Sequence, residues 1–225
     1  MIERFELPAY FTSLATVLWA LSGALVATQR GLDVVGVSAI ALAAAAGGGL
    51  LRDGLFLQRE PWLTHDPLAL PMILVSAFAV ILLRPLLRAS ATIGAISLAD
   101  AIAAPAFSVV ALTESVAAGV PLPGAVLIGL ITGVGGGVIR DLLVGEVPVI
   151  FQPGQYYAVL VALSSALYLA LVLPLRVDPS LAAWLSIGSA FVLRVLTLRF
   201  DWRTVPATEI GARISRGMRR LRGRS

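Results

Sequence analysis

The chain has 225 residues, of which 58% are hydrophobic and only 13% charged, and its mean hydropathy is +0.92. A soluble domain carries nearer 25% charge, so this composition excludes an ordinary soluble domain and points to a membrane protein. Arginine supplies every basic residue of a chain with net charge +4, and the absence of cysteine leaves the redox compartment open.

Crossing a hydrocarbon core about 30 Å thick takes roughly 20 residues of helix. Seven apolar segments meet or approach that length, at 8–28, 33–57, 68–84, 91–117, 121–144, 154–173 and 180–199. The start of the chain carries Glu3 and Glu6 and lacks a basic leader, so the first segment is expected to remain as a helix rather than be cleaved as a signal. The predicted fold is an all-α integral membrane protein forming a single domain over 1–200, followed by a basic tail at 201–225.

The second segment contains Gly47-Gly48-Gly49-Leu50-Leu51-Arg52-Asp53, and the fifth contains Gly135-Gly136-Gly137-Val138-Ile139-Arg140-Asp141, 88 residues later. Nine of the twenty positions from 36 to 55 match their counterparts at that offset, including all three glycines and the Arg-Asp pair. Each unit spans three helices, an odd number, so its two copies cross in opposite directions. Inverted repeats of this kind build the pathways of many transport proteins. The predicted arrangement is repeat one at 8–84, repeat two at 91–173 and an extra helix at 180–199.

Glycine allows two things here: an unwound or kinked turn whose carbonyls face water or a cation, or close approach of neighbouring helices. The charged pair that follows the glycines in both copies favours a kink with a function. Charges at membrane depth are costly unless paired or wetted. Adjacent Arg52 and Asp53 point about 100° apart on a helix and are not expected to neutralise each other, so pairing across the repeats is expected for Asp53 and for Arg140. Such bridges either fix helix register or gate an aqueous path, and a gate can be a bridge that breaks.

The fourth segment carries Asp100, Pro105 and Glu114, where the first has Thr12, Val17 and Val26. Asp100 is a candidate for the pathway or a partner for Arg140 or Arg194, whereas Glu114 lies near the interface and reads as solvated. Thr132, just before the second glycine run, offers its hydroxyl to the pathway or back to its own helix. His65, in the polar stretch after the second segment, reads as a surface residue, and Trp19, Trp62, Trp184 and Trp202 read partly as interfacial anchors. No metal-ligand cluster, phosphate loop or nucleophile–base pair is present in the sequence, so neither an enzyme nor a cofactor is expected.

Counting arginines orients the helices. Arg30, Arg84, Arg88 and eight arginines from Arg199 to Arg224 share one side, against Arg4, Arg59 and Arg176 on the other. The expectation is a cytoplasmic C-terminus, an N-terminus outside, and a tail that meets anionic lipid headgroups rather than nucleic acid.

The doubled Gly-Gly-Gly-x-x-Arg-Asp in the second and fifth of seven spans resembles the prokaryotic branch of the trimeric intracellular cation channel (TRIC) family, members of which are also labelled glycine transporters. The resemblance covers roughly residues 8 to 200. It implies a homotrimer in a bacterial or archaeal inner membrane, with a separate pathway in each protomer for monovalent cations such as potassium or sodium. By match to the motif, Gly47, Gly48, Gly49, Arg52, Asp53, Gly135, Gly136, Gly137, Arg140 and Asp141 inherit the role of lining or shaping that pathway. Animal members of similar fold carry a lysine-bearing motif that binds phosphoinositide, and this chain has no lysine. An arginine in a cation path repels the permeant ion, so the arginines are expected to be paired with Asp53, Asp141 or Asp100. Inverted repeats alone fit equally a secondary carrier of a small zwitterion such as glycine; a scaffold recruiting partners through its tail would leave the buried charges without a role.

Overall fold

A computed structural model of the chain describes residues 7–86, 89–152, 156–200 and 202. Arg4, Arg88 and the predicted basic tail from 203 onward lie outside the described residues. The elements are α1 (Tyr10–Gln29), α2 (Val34–Leu51), a short α3 (Trp62–His65), α4 (Ala69–Leu83), α5 (Ala89–Ala117), α6 (Leu122–Leu143), α7 (Tyr157–Val172) and α8 (Pro179–Arg199). Among the described residues, six helices are long and apolar enough to cross a membrane, α2 counting through Leu57, and α7 is equally apolar but shorter. These match the seven predicted segments; α3 is an addition, inside the polar stretch read as a loop.

Local chemistry sets several of the helix ends. The Asp33 carboxylate accepts the Gly36 N–H at 2.7 Å and opens α2, and Asp178 does the same for Leu181 at α8. Gly145, at φ +76°, ends α6 in the left-handed conformation that suits glycine. The reversal lets the Glu146 N–H bond back to the Asp141 carbonyl at 2.8 Å.

The helices form two inverted units, α1–α2–α4 and α5–α6–α7, with α8 outside them. The crossing of α2 and α6 and the packing of α1 on α5 join the two. A Cβ on Gly48 would overlap the Thr132 carbonyl oxygen, and one on Gly136 would overlap the Ala44 carbonyl oxygen. Gly47 faces Ile139, and Gly135 faces Leu51 and Gly48. Shifting by 88 turns Gly48–Thr132 into Gly136–Ala44 and Gly47–Ile139 into Gly135–Leu51, so the pseudo-two-fold relation passes through the Gly48–Gly136 contact. Small residues let two backbones meet where larger side chains would hold them apart.

This corrects the expectation of an unwound turn at the glycines. Both glycine runs stay α-helical throughout and serve close approach. The departure from α geometry comes after the first run, as a π turn over Arg52–Leu57 that ends at Gln58 in the left-handed region. The fifth predicted segment has no such turn. Trp19 is also corrected: it is buried, not interfacial, and its ring packs against Gly137. Trp62 packs on Gly49, whereas Trp184 and Trp202 are about half exposed.

Candidate functional site

Each Arg-Asp pair sits one turn beyond its glycines, where buried charges need partners. In the first copy, the Arg52 Nε and Nη2 donate to the two carboxylate oxygens of Asp53 at 2.8 and 3.0 Å. Arg52 Nη1 lies 3.2 Å from the carboxylate of Glu114 on α5. Asp53 also accepts Arg59 Nε at 2.9 Å and the main-chain N–H of Trp62 at 3.0 Å, and Arg59 reaches Glu114 as well. Two arginines and two carboxylates thus close a neutral cluster in which Arg52 and Asp53 are fully buried. Arg59 stands outside the apolar span. Burial disfavours its charge, but its bonds to Glu114 and Asp53 outweigh that and raise its pKa above the ordinary value.

In the second copy, Arg140 Nε donates to Asp141 at 2.8 Å, and Arg140 Nη1 reaches both carboxylate oxygens of Asp100 on α5 at 2.9 and 3.1 Å. Ser22 of α1 accepts from Arg140 and donates to Asp100. The Asp141 carboxylate takes the Val149 main-chain N–H at 3.3 Å, as Asp53 takes that of Trp62. The guanidinium carbon of Arg140 lies 5.6 Å from the Trp19 ring centroid.

The adjacent Arg and Asp therefore do neutralise each other, against expectation, because arginine carries its planar fork on a long flexible stem that swings back over the next residue. The expected pairing across helices occurs in addition, with Asp100 as the partner of Arg140. Glu114, read as solvated, is part-exposed and also forms ion pairs with both Arg52 and Arg59. Thr132 is buried with no hydrogen-bond partner on its hydroxyl, so the expected back-bond is absent. His65 is exposed as read, with Nε2 2.7 Å from Glu60.

Both clusters grip the same helix. Asp100 and Glu114 are about 21 Å apart along α5 at about 1.5 Å per residue, and Pro105 lies between them. The second cluster forms the inner wall of a cavity of about 180 Å³, whose lining includes Gln29, Ser97, Tyr157, Arg194 and the exposed ion pair Arg30–Glu146 at the helix ends. A smaller void of about 10 Å³ shares part of this lining and adds Val134, Gly137 and Ile150. Asp100, Arg140, Asp141, Val149 and Tyr157 line both spaces. The arrangement is a polar vestibule that runs into an apolar bundle and stops at a hydrogen-bonded knot of charges.

Sequence reading missed Ser22, Arg59, Glu146 and Tyr157. A lone serine in an apolar helix and a tyrosine at a helix start carry no signal of their own. Arg59 and Glu114 could have been found as opposite charges flanking the same end of the bundle.

A family model described as glycine transporter matches residues 9–85 and 97–172. The membrane protein YvgT of Bacillus subtilis is 30% identical over 188 residues, covering 83% of this chain and 90% of that protein. The inner membrane protein YadS of Escherichia coli K12 is 32% identical over 142 residues, 63% of this chain and 68% of that protein. Among solved structures, a prokaryotic TRIC channel crystallised in 0.5 M KCl superimposes with a TM-score of 0.78 at 25% identity, covering 85% of this chain and 95% of that one. The TRIC trimeric intracellular cation channel orthologue from Rhodobacter sphaeroides gives the same TM-score and identity, over 85% and 96%. The chain is a multi-pass membrane protein that belongs to the glycine-transporter family and has the fold of the prokaryotic TRIC channels.

Proposed function

We propose that the chain is a cation channel, potassium-preferring, with one pathway through each protomer of a homotrimer in a prokaryotic inner membrane. The observation that carries this reading is the vestibule: a polar cavity inside an apolar helical bundle, ending at Asp100, Arg140 and Asp141. The likeness to channels crystallised as TRIC proteins supports it. Gly47, Gly48, Gly49, Gly135, Gly136, Gly137 and Thr132 set the spacing of the helices around the pathway. Arg52, Asp53, Asp100, Arg140 and Asp141 act at its two ends. Two carboxylates meet Arg140 in the second cluster, so the arginine does not face a passing cation unscreened. The conformation described here is closed at that knot, and opening requires the Arg140–Asp100 bond to part. The arginine count places the vestibule on the cytoplasmic side, with the tail beside anionic headgroups.

Recording the purified protein in a planar bilayer under a potassium chloride gradient tests the reading. Discrete currents reversing near the potassium potential are expected. A vestibule lined by both signs of charge also suits a zwitterion, and the family model bears the description glycine transporter. A silent bilayer with saturable glycine uptake into proteoliposomes would establish that second reading instead.

A further inference from the structure

Tyr157 is nine-tenths buried, and its hydroxyl has no hydrogen-bond partner. An orphaned buried hydroxyl is uncommon and asks for an explanation. Here it stands on a residue that lines both the vestibule and the smaller void, at the place where the two share their lining. The other residues common to both linings are three charged residues already bonded to one another, and the apolar Val149. Tyr157 alone among these side chains brings an uncommitted polar atom.

The ring is held in place as well as buried. The guanidinium carbon of Arg194, from α8, lies 5.1 Å from its centroid, in the range of a cation–π contact. At the matching place in the first repeat, 88 residues earlier, stands Ala69. The device is therefore confined to the second repeat, where the cavity is.

Resting on the channel reading, we infer that the Tyr157 hydroxyl is a cation ligand that sets selectivity at the inner end of the vestibule. A cation leaving the cavity sheds part of its hydration shell and needs a replacement oxygen. Carboxylates bind it strongly and are already engaged with Arg140. A neutral phenolic oxygen binds weakly enough for the ion to leave again, which conduction requires. In the closed conformation the oxygen has nothing to bind; once the knot opens, the ion supplies the partner.

The test is Tyr157→Phe, which keeps the ring and its stacking under Arg194 and removes only the oxygen. The parent and the variant are recorded in planar bilayers with potassium on one side and sodium, then lithium, on the other. The expected result is a shift of about twofold or more in the potassium-to-sodium permeability ratio, with lower unitary conductance. The melting temperature in detergent and the elution volume should match the parent, because packing is unchanged. Tyr157→Leu, which also removes the stack, should lower the melting temperature in addition. Currents in the parent with the same ratio and conductance in Tyr157→Phe would overturn the inference while leaving the channel reading intact. Silence of the parent would overturn both.

Discussion

The two Arg-Asp pairs are the same words in different company. In the first, Arg52 and Asp53 have no exposed surface themselves, and the part-exposed Arg59 and Glu114 and the Trp62 backbone meet them. The second lines a cavity, and its Asp100 keeps some exposure. The difference does not come from the motif, which is identical, but from what faces it. Where the first repeat has Thr12, the second has Asp100; where the second has Val110, the first has Ser22. A duplicated element thus keeps its anchoring chemistry, in which the aspartate holds both its arginine and a main-chain N–H eight or nine residues on. Single substitutions around it then change its company: one copy meets the part-exposed Arg59 and Glu114, the other Asp100 and Ser22 beside a cavity.

The comparison is broken most directly by removing each aspartate. Asp53→Ala takes both carboxylate oxygens from the fully buried Arg52 and leaves it only Glu114, so the loss is expected to cost about 3–5 kcal/mol, the range for breaking a buried pair. Asp141→Ala should cost less, because Asp100 and Ser22 remain on Arg140 and the cavity admits water. Thermal unfolding of both variants in one detergent measures the difference; equal losses would mean that Asp100 and Ser22 do not compensate for the missing Asp141.

The glycine crossing offers the opposite prediction, equality. Gly48→Ala and Gly136→Ala each push a methyl group into a backbone carbonyl oxygen, and overpacking of this kind costs about 1–3 kcal/mol. Pseudo-symmetry requires the two losses to agree, by the same thermal measurement.

Currents sharpen the contrast in roles. Arg140→Ala should change open probability or unitary conductance several-fold, since it removes the knot at the end of the vestibule. If both stay unchanged in bilayer recordings, the bridge only fixes helix register. The smallest effect is expected at the rim. Arg30 and Glu146 form an exposed pair, and Arg30→Ala should lower stability by less than about 1 kcal/mol, with the loss shrinking further as salt is raised.

Much of this was legible from the residues. The offset of 88 between two glycine runs predicted the inverted units, and the lengths of the apolar segments predicted the helices to within a few residues. Asp100 was readable as a partner of Arg140, because a carboxylate in an apolar span needs a cation. The ion pairs of Glu114 were missed because distance from a helix end says nothing of what lies across from it. The glycines were misread because their looseness and their smallness look alike in sequence.

Hydrophobic runs thus determined by themselves that this chain spans a membrane several times, because lipid leaves the backbone little other way to satisfy its hydrogen bonds, and the repeat at an offset of 88 determined its two inverted units. Only the tertiary structure decided that the glycines serve a backbone crossing, that both charge clusters grip α5, and that one of them faces a cavity. Each of these depends on which side chains meet from positions far apart in the chain, and a distance in space has no signature in a linear spacing.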